Sequence, residues 1–160
     1  MTQVPHHSRH NETLMSDRSA EPTLHRVRSL VLGLVALGLV GTSLELVLLA
    51  HVEDFLQFVP FLAIAGGVAA LVWRLWRPSR IATLAVQLAM AMLIVTGLIG
   101  AGLHYQANME FQLELDRSLS GFALMMKVLE AKAPPALAPG NMALLGLIGL
   151  AGVHRETFGG

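Results

Sequence analysis

The stretch IATLAVQLAMAMLIVTGLIGAGLHYQANMEFQLELD, residues 81 to 116, decides the fold. It opens with roughly 23 apolar residues ending at Leu103, and a helix of that length rises about 35 Å, enough to cross a hydrocarbon core of about 30 Å. At His104-Tyr105-Gln106 the run meets polar side chains, and Glu110, Glu114 and Asp116 lie beyond. The stretch therefore reads as a membrane span opening onto an acidic mouth. From Met109 to Asp116 apolar and polar residues alternate without a miss. On a helix those apolar side chains fall into opposite clusters, whereas in an extended chain they share a face, so the alternation predicts an extended arm or β-strand.

Working outward, the composition agrees with a membrane protein. Hydrophobic residues make up 54% of the 160, charged residues only 14%, and the mean hydropathy is +0.59. The absence of cysteine removes disulfides, thiolate metal sites and cysteine nucleophiles. A net charge of +0 gives no basic surface for nucleic acid.

Two long apolar runs precede the deciding stretch. Residues 30–50 form the first predicted span, interrupted by Thr42, Ser43 and Glu45, with Gly33, Ala36, Gly38 and Gly41 leaving room for close helix contact. Residues 55–76 form the second, with Pro60 in its first turns and Pro78 after its end. Between them His51-Val52-Glu53-Asp54 is a short polar elbow, and Asp54 is a predicted N-cap. Residues 81–103 are the third span. After it, Ser118 to Gly121 reads as a turn and Phe122 to Lys132 as a short amphipathic helix, with Phe122, Met125, Met126 and Leu129 against Lys127, Glu130 and Lys132. Pro134, Pro135, Pro139 and Gly140 break the chain before Asn141, the predicted N-cap of a last span over residues 141–156.

The predicted architecture is an all-α membrane protein, a four-helix transmembrane bundle with an extracytoplasmic extended arm and a short amphipathic helix between spans three and four. Residues 1–24 read as a disordered cytoplasmic tail, 25–156 as the membrane domain, and 104–140 as the extracytoplasmic segment. Arg26, Arg28, Arg74, Arg77, Arg80 and Arg155 all fall on one side of such a bundle, which makes that side, and both termini, cytoplasmic. The expected location is the inner membrane of a bacterium.

Leu103-His104-Tyr105-Gln106-Ala107-Asn108-Met109-Glu110-Phe111, Pro135-Ala136-Leu137-Ala138-Pro139-Gly140 and the glycine-rich last helix resemble a group of small, uncharacterised bacterial multi-span inner-membrane proteins. That resemblance implies four helices and carries no activity to transfer.

No P-loop, dinucleotide fingerprint, nucleophile elbow or HExxH occurs. The candidate polar residues are positional. Glu45 is an ionisable group inside a predicted span, which makes it a candidate for proton or ion coupling. His51, Glu53, Asp54, His104, Tyr105, Asn108 and Glu110 form the predicted mouth. His51, His104 and Glu110 are residue types that hold a divalent transition metal, and two histidines from different helices also suit a haem. The ordinary alternative is a solvated rim where helices leave the membrane. On this basis the sequence predicts no catalysis and no required cofactor, and an accessory or assembly role through helix packing and an acidic outer arm. The partners are then lipid and a membrane protein or a second copy. A metal- or haem-binding redox protein and a small ion-coupled transporter are the alternatives.

Overall fold

A computed structural model describes residues 6–49, 57–131 and 137–154, with side chains described from Pro22 onward and Leu137 excepted. The described chain is helical throughout: α1 (His6–Leu48), α2 (Phe58–Trp76), α3 (Arg80–Leu115), α4 (Gly121–Glu130) and α5 (Leu137–Gly152). Three segments, Pro22–Leu48, Phe58–Trp76 and Arg80–Leu115, are long and apolar enough to cross a membrane.

Each boundary has a local cause. Trp76 ends α2 because Arg77 and Pro78 leave helical geometry, and Ser79 restarts the chain as the N-cap of α3, its side chain accepting a hydrogen bond from the Ala82 amide at 3.1 Å. Asp116 ends α3 and folds back on Ser118, accepting from its amide at 2.9 Å and its hydroxyl at 2.6 Å. Gly121 then opens α4 at φ 55, a backbone region where a Cβ is penalised.

The core lies where α1, α2, α3 and α5 meet. Val35, Leu39, Ile64, Leu71, Val86, Met90, Leu93 and Met142 are among its buried residues. Gly67 of α2 sits at the centre: a Cβ there would lie 3.1 Å from both Leu39 and Leu93. Outside this seam the apolar side chains point outward, Leu34, Leu37, Leu62, Leu88 and Leu98 among them, and only 22% of each span window is buried within the protein. In water such a surface is untenable; in lipid it is the expected exterior.

The tightest contact joins α3 to α5. A Cβ on Gly97 would lie 2.5 Å from the Pro139 carbonyl oxygen and 2.8 Å from the Ala143 nitrogen, and one on Gly146 would lie 2.6 Å from the Met90 carbonyl oxygen. Backbone meets backbone here because both helices offer glycine. On α1, Gly38 receives Leu145. The close contact predicted at Gly33 and Gly41 does not form within the chain, since a Cβ built on either would meet nothing within 4 Å.

Two expectations are corrected. The predicted extended arm at Met109 to Asp116 is helix to Leu115, so the structure contains no strand among the described residues. A helix already running through the span propagates by one backbone bond per residue, and Met, Glu, Gln and Leu all favour it. A lone strand would leave those bonds unmade. Phe111 and Leu115 are consequently exposed rather than shielded on one face with Leu113. The last helix starts at Leu137, not after an Asn141 cap, because Pro139 is compatible with a first turn whose amides lack intrahelical partners anyway. Helix also extends from His6 into the first span, with Pro22 inside it.

Candidate functional site

The polar residues of α3 beyond the apolar run are the part of the predicted mouth that falls within the described residues. His51, Glu53 and Asp54 lie outside them, so the predicted convergence of His51 with His104 lies outside them too. His104 is half-buried, and Tyr105 is exposed at the end of the span. Among the described residues no cluster of three or more His, Asp or Glu is arranged to hold a metal ion.

Beyond Tyr105 the polar side chains are arranged by helical geometry, not by an extended chain. Gln106, Glu110 and Glu114 recur every four residues and so form one row along α3. The Gln106 side-chain amide donates to Glu110 at 3.0 Å, and Glu110, Leu113, Glu114 and Arg117 line a shallow open groove. Two like charges at this spacing repel, by about 0.2–0.5 kcal/mol at an exposed pair. The row is therefore an acidic surface held on a rigid rod. At its tip Asp116 is fully exposed, and the Ser118 hydroxyl, then the Ser118 amide, hold its carboxyl below the usual carboxylate range.

Asn108 differs from its neighbours. It is only 5% exposed, and its amide oxygen is buried with no hydrogen-bond partner. It is the buried residue of α3 beyond Gly97, and Val128 is the buried residue of α4, the element that follows α3 and packs on it. The sequence places Asn108 in the mouth but gives it no distinct role, because residue type alone does not say which position of the helix is buried.

Glu45 is half-buried on α1. Its surroundings are set by the antiparallel register of α1 and α5: Gly152 meets Val31 and Leu32, Gly149 meets Val35, and Gly38 meets Leu145. Arg28 continues the series by donating to the His154 carbonyl at 2.9 Å. Carried on at one residue for one, the register sets Glu45 level with Ala138 and Pro139, the first turn of α5. Pro139 in turn packs on Gly97 and Gly100 of α3, short of Leu103 where the apolar run ends. The positive end of α5 thus lies inside the span, level with a carboxylate.

An apolar groove also runs between α1 and α2, lined by Val40, Leu44, Val47, Phe61, Val68 and Val72, with Ser43 as its polar member. Comparison with family models, curated proteins and solved structures returns no match for the chain.

Proposed function

We propose that this chain is an integral membrane accessory or assembly protein whose α3 extension carries an acidic docking row to a membrane-protein partner. One observation supports the reading above the others: α3 runs unbroken for 36 residues, about 54 Å of helix, so it spans a bilayer and still holds Glu110 and Glu114 on a rigid rod beyond it. A rod that keeps two repelling carboxylates in line, at a cost, is suited to a basic partner surface. The setting of the proposal is a bacterial inner membrane. There the chain crosses a fourth time at α5, and both termini lie on the side that bears Arg26, Arg28, Arg74, Arg77 and Arg80. The acidic row then faces the opposite compartment.

Photo-crosslinking amino acids at Glu110 and Glu114 in native membranes test this. A discrete adduct is expected from each position, lost when the other acidic residue is reversed to Lys. Absence of any adduct from both positions, in protein that is inserted and folded, overturns the docking role.

A further inference from the structure

We infer that the arginine-bearing end of the α1–α2 groove is a site for one anionic phospholipid, with the phosphodiester at Arg26 and Arg77 and an acyl chain along the groove. The depth of these groups follows from helix length. α2 has 19 residues, about 28 Å of rise, which is no more than the hydrocarbon thickness of about 30 Å. In a bilayer both of its ends therefore lie at the boundary. Only Arg77, Pro78 and Ser79 separate α2 from α3, and α3 resumes at once with an exposed Ile81. The turn is pinned on both sides: the Arg77 amide donates to the Trp73 carbonyl at 2.8 Å, and Ser79 caps α3. Three residues that must also return have no length to reach past the headgroup layer, so Arg77 and Arg80, both exposed, stand at phosphate depth. Trp76, 80% exposed, marks the same level as an interfacial aromatic.

The groove leads to this end. On α1, Arg26, Gly33, Val40 and Val47 follow one another at seven residues, about two helical turns, and so share a face on which the two valines line the groove. A Cβ on Gly33 would meet nothing within 4 Å, so that face stays open between Arg26 and the valines. On α2, Trp76 stands seven residues after Ala69 of the groove wall. The two helices run antiparallel, and Gly67 meets Leu39. Carried on at one residue for one, that register sets Arg77 to Arg80 level with residues 26–29. Arg26 and Arg77 thus stand at one level, at the end of one groove.

Charge identifies the occupant. Arg26, Arg28, Arg74, Arg77 and Arg80 belong to this end, whereas the described Asp and Glu side chains, from Glu45 to Glu130, all belong to the opposite half of the bundle; Glu21 and Glu156 lie outside the described side chains. Arg28 already donates to the His154 carbonyl, while Arg26 and Arg77 are exposed and pair with no carboxylate among the described residues. The anion available at that depth is a lipid phosphate, which guanidinium forks match in charge and geometry. A choline headgroup carries its own cation beside the phosphate, whereas an anionic headgroup leaves that charge to the arginines.

Full-length protein is equilibrated in nanodiscs of equal phosphatidylcholine and phosphatidylglycerol, and the lipid retained on the chain is counted by native mass spectrometry. One phosphatidylglycerol per chain is expected, in preference to phosphatidylcholine. An arginine at the membrane surface contributes about 5-fold to anionic-lipid binding, so Arg26→Gln with Arg77→Gln is expected to lower the preference roughly 30-fold with the helical spectrum retained. Lys127→Gln, at the other end of the molecule, is expected to leave it unchanged. Ala69→Trp fills an exposed position of the groove wall and is expected to weaken retention several-fold. Equal retention of the two lipids, or a preference that survives the double variant, overturns the inference; indifference to Ala69→Trp takes the acyl chain out of the groove and overturns it too. Deacylated glycerophosphoglycerol and a short oligonucleotide serve as competitors. Displacement by either at matched concentration makes the site one for a soluble phosphate or a water-soluble polyanion, and overturns the lipid assignment. No residue of the acidic row takes part, so the docking proposal and this one fail separately.

Discussion

Alanine at Gly97 tests whether α5 is held by backbone contact. The new methyl would lie 2.5 Å from the Pro139 carbonyl oxygen and 2.8 Å from the Ala143 nitrogen, atoms that cannot swing aside as a side-chain tip does. Moving from 2.5 Å to the 3.4 Å at which ordinary contact begins requires α3 and α5 to part by about 0.9 Å. A gap of 0.5–1 Å forfeits about a quarter to a half of each dispersion well along the seam, and overpacking an interior by a methyl costs about 1–3 kcal/mol. Against this stands the gain of about 1 kcal/mol from replacing a helical glycine by alanine. Gly66→Ala in α2 isolates that gain, since nothing lies within 4 Å of its Cβ position. The expected difference between the two variants is therefore about 1–3 kcal/mol, or roughly 5- to 140-fold in the unfolding constant. Titration with dodecyl sulfate in mixed micelles, monitored by helical circular dichroism, measures it. If Gly97→Ala falls within about 0.5 kcal/mol of Gly66→Ala, the close approach does not hold α5 in place.

Other outcomes rest on single contacts. Asn108→Leu removes a buried oxygen that has no partner and is expected to leave stability unchanged or raise it, because an unpaired buried polar group costs about 1–3 kcal/mol; a clear loss in the same titration means that the amide is satisfied in the membrane. Asp116 has a folded pKa below the ordinary value of about 3.9, so its contribution to stability is full above that value and fades as pH falls through the folded one; carboxyl chemical shifts should show the lowered titration, and Ser118→Ala should move it back up. Cysteines at Ser79 and Arg117, which bracket α3, should react with an impermeant reagent from opposite sides of the membrane; labelling of both from one side means that α3 does not cross.

The spans were legible because lipid imposes a simple rule: every backbone polar group must be paired within the segment, so length and hydropathy suffice. Residues 81–103 needed nothing else. The alternation from Met109 to Asp116 misled because a period of two marks a strand only when one face is buried and neighbours complete the ladder. Here no neighbour strand exists among the described residues, and the stretch lacks a β-branched residue; its Met, Glu, Gln and Leu composition was the better signal. Glycine spacing was only half informative for a related reason. Gly33, Gly38 and Gly41 are equivalent in sequence, yet only Gly38 meets a neighbour, and which glycine does so depends on where α5 lies. The burial of Asn108 likewise depends on tertiary placement, which no local residue pattern announces.

The shortness of α5 and the presence of Glu45, two separate oddities in the sequence, become one feature in the fold. A helix of 16 residues rises about 24 Å, less than the hydrocarbon thickness, so one of its ends must stop within the membrane. The arginine end is fixed at the surface, where Arg28 satisfies the His154 carbonyl, so the shortfall appears at the other end. There the first amides of α5 lack intrahelical partners, and Pro139 removes one of them. The remaining donors and the positive dipole end favour a nearby anion, and the register brings Glu45 to that level. An intramembrane carboxylate is expensive alone, and so is a helix end facing hydrocarbon. Both features thus fall at one level along the bundle, set by the register of α1 on α5.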